Sequence, residues 1–466
     1  MSENLYARLA AAFPQDRGQP AFITSDGVIT YADLEAGVGC LAALLLSKGV
    51  APGDRIAVQA PKSVEMVMLY LATLQVGAIF VPLNTAYTEA EVGYFLGDAE
   101  PALFVTDAAA LAGEASQLAA HTAIHPSAPA DTAAIIYTSG TTGRSKGAML
   151  SHGALAANAA ALRDAWGVTA DDVLLHALPI FHVHGLFIAL HTILIAGGSM
   201  IWQARFDDAE ALAALPQATL MMGVPTFYTR LLANPGFTRE TTANVRLFVC
   251  GSAPLLESTF AEFEARTGQR ILERYGMSEA VVITSNPLDG ERVAGSVGFP
   301  LPGVDLRIGD GEAVGVIEIR GPSVFTAYWR MPDKTAEEFT PDGWFKTGDV
   351  GHVDPDGRVW ISGRAKDLII SGGFNVYPKE IELVIDELPG VTESAVIGVP
   401  HPDLGEGVVA VVTGDADPAA ILAGVRAKLA GFKTPKKVVF IDDLPRNAMG
   451  KVQKNLLRDT YGKLFE

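Results

Sequence analysis

The chain has 466 residues, too many for one ordinary hydrophobic core, so at least two domains are expected. Hydrophobic residues make up 49% and charged residues 19%, which excludes a disordered chain. A net charge of −18 argues against nucleic acid or an anionic membrane surface as partner, so any anion site must be built from local positive groups.

The first residues, MSENLYARLAAAF, lack a basic segment and a cleavage site and read as a helix. Strand-like and helix-like segments then alternate to about residue 250. DRIAVQA, AIFVPLN and ALFVTD read as strands, SVEMVMLYLATLQVG and EAEVGYFLGDA as helices, and AHTAIHPSAPADTA as a loop. Such alternation predicts mostly parallel sheets covered by helices, an α/β architecture. The apolar run GLFIALHTILIAGGSMI, 185 to 201, is broken by His191 and two glycines and reads as a buried helix entering a core strand. Cys40 and Cys250 stand in no metal-ligand spacing and fit a reduced, cytoplasmic setting.

After residue 295 the texture changes. GVDLRI, GVIEIRG and GHVDPDGRVWISGR are short β segments separated by Gly and Asp-Gly turns, which predicts a small antiparallel unit. A hairpin, a helix starting near Pro378 and another strand follow. The boundary is placed at Arg364 to Asp367, giving a large N-terminal lobe, 1–365, and a small α+β lobe, 366–466.

The strongest local signal is IIYTSGTTGRSKGAMLSH, 135 to 152. An apolar strand runs into Thr138, Ser139, Gly140, Thr141, Thr142 and Gly143, followed by Lys146. Glycines let backbone N–H groups turn toward an anion, hydroxyls add donors, and the lysine adds charge, so the stretch reads as a phosphate loop. It is not a Walker A loop, because Gly, not Ser or Thr, follows the lysine. This stretch resembles the phosphate loop of the adenylate-forming superfamily of acyl-CoA synthetases, luciferases and adenylation domains, with Ser145 where those proteins usually carry Pro. Further motifs resemble that family in order along the chain: GSAP at 251–254, ERYGMSE at 273–279, GWFKTGD at 343–349, GRAKD at 363–367 and PRNAMGK at 445–451.

The resemblance implies an AMP-forming acid–thiol ligase that uses ATP, Mg²⁺ and coenzyme A. It implies that Gly251, Ser252, Ala253, Pro254, Glu273, Tyr275, Gly276, Met277 and Ser278 serve the nucleotide together with the phosphate loop. Glu279 would hold the metal, Asp349 the ribose, and Arg364 would lie near the nucleotide. Lys451 would serve adenylation, with Lys146, Thr138 and Glu279 as its catalytic companions. Lys366 would be the hinge of a mobile C-terminal lobe that alternates between two half-reactions. Ser371, Gly372 and Gly373 would line the pantetheine path, and Lys433 and Lys437 would meet coenzyme A.

The acid is read from three residues. Arg274 sits directly before Tyr275-Gly276, where many relatives carry a small residue. In VPTFYTRLL, Thr226, Phe227 and Arg230 share one helical face, so Arg230 is expected to point at the same cavity. His182 of PIFHVHGL is a third candidate. Two arginines suit a second carboxylate, gripped by paired charge-assisted hydrogen bonds. The pattern is similar to the malonyl-CoA synthetase subfamily, which implies malonate as the acid. Methylmalonate, another acyl- or aryl-CoA synthetase activity, and loading of a carrier protein remain open.

Overall fold

The computed structural model describes residues 3–138, 145–446 and 451–465. The chain divides into two compact units. The first comprises Met1–Asp305 and Ile319–Phe345, the second Leu306–Glu318 and Lys346–Glu466. The second unit therefore takes in the small β segments 306–318 and 346–364, which the sequence reading assigned to the N-terminal lobe.

Two sheets organise the first unit. In the six-stranded sheet the spatial order is 327–328, 146–151, 132–138, 79–82, 55–58, 103–105. In the nine-stranded sheet it is 299–300, 284–285, 272–275, 247–250, 220–223, 173–176, 199–202, 20–24, 27–30. The central pairs are parallel, such as Val249 opposite Leu272 and Leu220 opposite Leu247, with antiparallel strands toward the edges. Parallel strands covered on both faces must be apolar throughout. Leu220–Gly223 and Leu247–Cys250 are buried at every position.

The helices start where the sequence supplies caps. Thr30 and Thr88 open capping boxes with Asp33 and Glu91, and the Ser63 side chain accepts from the Met66 N–H. The helix Val64–Gln75 ends at Gly77, whose φ of 78° is the left-handed conformation glycine tolerates. The apolar run near residue 185 is a π-helix, His184–Leu190, continued by the α-helix His191–Leu194, and every residue of both is buried. No helix among the described residues is long and apolar enough to cross a membrane.

The second unit holds a four-stranded sheet, 305–308, 315–320, 345–353 and 359–364, and a five-stranded sheet built on the long hairpin Val391–His401 with Gly405–Gly414. The helices Pro378–Asp386 and Pro418–Lys428 bury Ile381, Ile385, Ile421 and Val425 against Val396, Val408, Ala410 and Val412. That unit has its own core, as an independent domain requires.

Candidate active site

In open α/β sheets, ligands collect beyond the carboxyl ends of the strands. Four neighbouring strands of the nine-stranded sheet end at His176, Gly223, Cys250 and Tyr275. The GSAP segment follows the third of these ends and the YGMSE segment begins at the fourth.

Strand Leu272–Tyr275 alternates its side chains between the two faces of the sheet, so Glu273 and Arg274 point opposite ways. Glu273 is buried, and its Oε1 faces the Leu255 N–H at 3.4 Å, while Oε2 has no partner. Burial pushes its carboxyl up to about 8. Glu273, expected at the nucleotide, thus sits beneath the Gly251–Pro254 segment as a neutral acid. The reason is the pleat, which turns it into the apolar layer.

Arg274 is also buried, and its Nε and Nη2 have no hydrogen-bond partner. Burial lowers its guanidinium from 12.5 to about 10. The chain makes room for it at Gly251, where a Cβ would lie 2.6 Å from Arg274 Nε. Next to Gly251, Ser252 adopts a left-handed φ of 70°, and its hydroxyl lies 3.2 Å from His184 Nδ1. His184 is buried, and its Nε2 has no partner. Burial, and next the charge of Arg274, hold its imidazole well below the ordinary 6.5, so it is neutral. That contact permits the tautomer in which Ser252 donates to Nδ1 and Nε2 carries the hydrogen. In that tautomer Arg274 and His184 present three nitrogen donors that no described residue satisfies.

The other two acid candidates fall out differently. His182 Nδ1 accepts from the His184 N–H at 3.3 Å, so it shapes the turn that carries His184. Arg230 does share a helical face with Phe227, but that face leads outward. Its guanidinium lies 3.1 Å from Asp208 and over the Phe206 ring, which stacks on Phe227, and its side chain is 53% exposed. In the free protein its partner is thus the surface carboxylate of Asp208.

On the phosphate side, Ser139, Gly140, Thr141, Thr142 and Gly143 lie outside the described residues. Their flanks are ordered by antiparallel pairing of Thr138 with Lys146. Lys146 Nζ lies 2.9 Å from Glu338 and 4.4 Å from the centre of the Tyr328 ring. The Tyr328 hydroxyl donates to Glu279 Oε1 at 3.0 Å. Burial and the Glu279 charge push that phenol far up, so it remains a donor. Tyr328 and Glu338, missed in the sequence, thus join Lys146 and Glu279 into one polar cluster. Gly276 is obligatory, because a Cβ there would run into the Val281 carbonyl, and Val281 itself is held at a strained φ of 59°.

In the second unit, Asp349 is buried opposite Arg364 in antiparallel register and 2.8 Å from its Nε. The Asp349 N–H donates to Thr347 Oγ1 at 3.1 Å, and Thr347 in turn donates to the Ile317 carbonyl. Lys366 is half-buried. Burial lowers its ammonium, as do the neighbouring Arg364, Arg458 and Lys451, while Asp367 opposes them. Lys366, Arg364 and Lys451 are therefore electrostatic neighbours. Lys451 is exposed, next to Val452, which bridges to Arg446. Lys454 has a structural task, pairing at 2.5 Å with the buried Glu382.

Gly372 and Gly373, with φ of 59° and 82°, form the two-residue turn between strands Ile369–Ser371 and Phe374–Val376. Phe374 is exposed and stacks on Phe432 at 4.6 Å, and Lys433 lies over Phe432 while pairing with Glu380. The hairpin and Lys433 thus share one surface, whereas Lys437 is exposed at the start of the strand Lys437–Phe440.

Among the described residues no cluster of three metal-ligating side chains occurs. One buried carboxylate, Glu279, is a donor set that suits Mg²⁺, which usually takes one or two carboxylates and completes its shell with substrate phosphates and water.

The AMP-binding enzyme family matches residues 9–329, and its C-terminal domain matches residues 380–451. The chain is 51% identical to ATP-bound MatB from Rhodopseudomonas palustris, with a TM-score of 0.95 and full coverage of both chains. It is 37% identical to a feruloyl-CoA synthase from an Amycolatopsis species over 93% of this chain and 94% of that protein. It is 35% identical to a malonate–CoA ligase from Arabidopsis thaliana over 88% of this chain and 78% of that one. With its strand-end motifs in place, the chain belongs to the AMP-binding enzyme family and is an AMP-forming acyl-CoA synthetase.

Proposed function

We propose that the acid is malonate, and that the protein converts malonate, ATP and CoA to malonyl-CoA, AMP and diphosphate through a malonyl-adenylate. The observation that carries this reading is Arg274, a buried guanidinium with two unsatisfied nitrogen donors beside the unsatisfied His184 Nε2. A buried cation without a partner is costly, and an apolar acyl chain cannot relieve that cost. A second carboxylate does, by accepting from Arg274 and His184 together. Relatives of similar identity are named feruloyl-CoA synthase and malonate–CoA ligase, so likeness at that level does not choose the acid and the site must.

In the reaction, one malonate oxygen attacks the α-phosphorus of ATP and diphosphate leaves. The thiol of CoA then attacks the acyl carbon and AMP leaves. Arg274 and His184 fix the remote carboxylate, which fixes the reacting one. Lys146 exchanges Glu338 for phosphate oxygens, and Thr138 supports it at the strand end. Glu279, oriented by the Tyr328 hydroxyl, would hold Mg²⁺, which supplies charge neutralisation at the phosphates. Asp349 and Arg364 serve the ribose and nucleotide, Lys451 serves adenylation, and the hairpin at Ser371–Gly373 with Lys433 serves CoA.

Diphosphate release measured over a panel of acids tests the assignment. Malonate is expected to exceed acetate, propionate and octanoate by orders of magnitude in kcat/KM, since sites built around a polar partner reject analogues lacking it by roughly 10⁴. A rate with octanoate or a cinnamate equal to that with malonate sinks the diacid reading.

A further inference from the structure

Lys62 is a second cation of interest, and it is half-buried. It lies outside every motif, just past the strand Arg55–Val58 of the six-stranded sheet. Its ammonium makes three hydrogen bonds, to His176 Nδ1 at 2.9 Å, the His176 carbonyl at 2.8 Å and the Gln203 carbonyl at 2.6 Å. The Trp202 ring lies 4.1 Å away. All three donors are used, and none meets a carboxylate.

The partners locate its task. The His176 and Gln203 carbonyls stand at the carboxyl ends of the strands Val173–His176 and Ser199–Trp202, so Lys62 joins the two sheets at the rim where the site forms. An ammonium only donates, so His176 Nδ1 must accept and Nε2 must carry the hydrogen. Nε2 then donates to the Gly185 carbonyl at 3.0 Å. The Gly185 carbonyl can only accept, so it too requires the hydrogen on Nε2. Gly185 is the residue after His184, in the first turn of the π-helix. A Cβ on Gly185 would collide with the Pro179 carbonyl, which locks the turn from the other side. A π-helix is rare and tends to mark functional sites, because its widened turn frees backbone groups that need outside partners.

We propose that Lys62 is a positioning residue for the acid: through His176 and the Gly185 carbonyl it holds the π-helical turn that sets His184 Nε2 beside Arg274. This rests on the reading of Arg274 and His184 as the acid end. Burial disfavours the charged form of Lys62, so what it supplies is its directed hydrogen bonds and not an ion pair.

The test compares KM for the acid with KM for ATP in three variants of the full chain. Lys62→Met removes the donor at similar length. His176→Leu removes the link to Gly185. His176→Gln keeps an amide donor for the Gly185 carbonyl and an acceptor for Lys62. The proposal expects Lys62→Met and His176→Leu to raise KM for the acid about tenfold or more with KM for ATP within about twofold of the parent. His176→Gln should fall within about threefold of the parent on both. Equal losses on acid and ATP in His176→Leu, or an unchanged acid KM, overturn it, and this holds even should Lys62→Met fail to fold. Each comparison uses the acid that the parent uses best. A parent that prefers another acid therefore sinks the malonate assignment without deciding the role of Lys62.

Discussion

Replacing Arg274 with methionine removes the guanidinium while keeping an unbranched side chain in the slot opened by Gly251. Two opposite effects should follow. In the free protein the charged arginine is under strain, since its drop from 12.5 to about 10 corresponds to about 3 kcal/mol against the charged form. Unfolding entropy scales with length and comes to about 1 kcal/mol/K for a chain of this size, so Arg274→Met should melt about 3 °C higher without ligand. In the complex the same substitution leaves the second carboxylate without its charged partner. Truncating one side of a buried charge pair costs about 2 to 5 kcal/mol, a fall of about 30- to 5,000-fold in kcat/KM for malonate. Propionate, which lacks that carboxylate, should lose little or gain. Thermal melting of the free protein and diphosphate release with both acids measure the two effects. A melting point several degrees lower, or an unchanged kcat/KM for malonate, refutes the argument that this arginine waits unpaired for a carboxylate.

Three further outcomes are expected. Glu273 has a folded pKa of about 8 against an ordinary 4.5, so the folded state holds a proton that the unfolded chain releases between those values. Its contribution is therefore fully present below pH 4.5 and is lost as pH rises to 8; Glu273→Gln should gain in melting temperature over the parent progressively from pH 5 to pH 8, and a constant difference across that range counts against the neutral acid. Tyr328→Phe deletes the hydrogen bond to Glu279 and should lower adenylation by about 10- to 150-fold, the range for a hydrogen bond to a charged group, with more Mg²⁺ needed for half-maximal rate. Lys451→Ala should abolish diphosphate release while a supplied malonyl-adenylate still yields malonyl-CoA; full adenylation in that variant removes the lysine from the first half-reaction.

The parallel sheets, their flanking helices and the motif order were legible because each depends on local pattern: apolar runs, cap residues, and glycines where the chain turns. The acid end was legible only in part. Arg274 stood out because a charge interrupts a buried strand. For Arg230, helical spacing fixes which residues share its face but not what that face meets, and in the free protein it meets Asp208 from another helix. His184 was passed over for His182, since two histidines two residues apart differ only in how a π-helical turn presents them. Lys62 gave no signal at all. A lone lysine reads as solvated, and its partners lie 114 and 141 residues away in sequence. Glu338 meets Lys146 across 192 residues for the same reason.

The pleat of strand Leu272–Tyr275 has a consequence for descent. Glu273 and Arg274 are neighbours in the chain, yet one faces the apolar layer and the other the acid, and the residues from Tyr275 onward form a turn of their own. If Arg274 reads the acid as proposed, a single codon change at position 274 alters what the protein accepts while Glu279, which would hold Mg²⁺, and the obligatory Gly276 stay in place. Under that proposal substrate choice and chemical power are inherited on separate side chains.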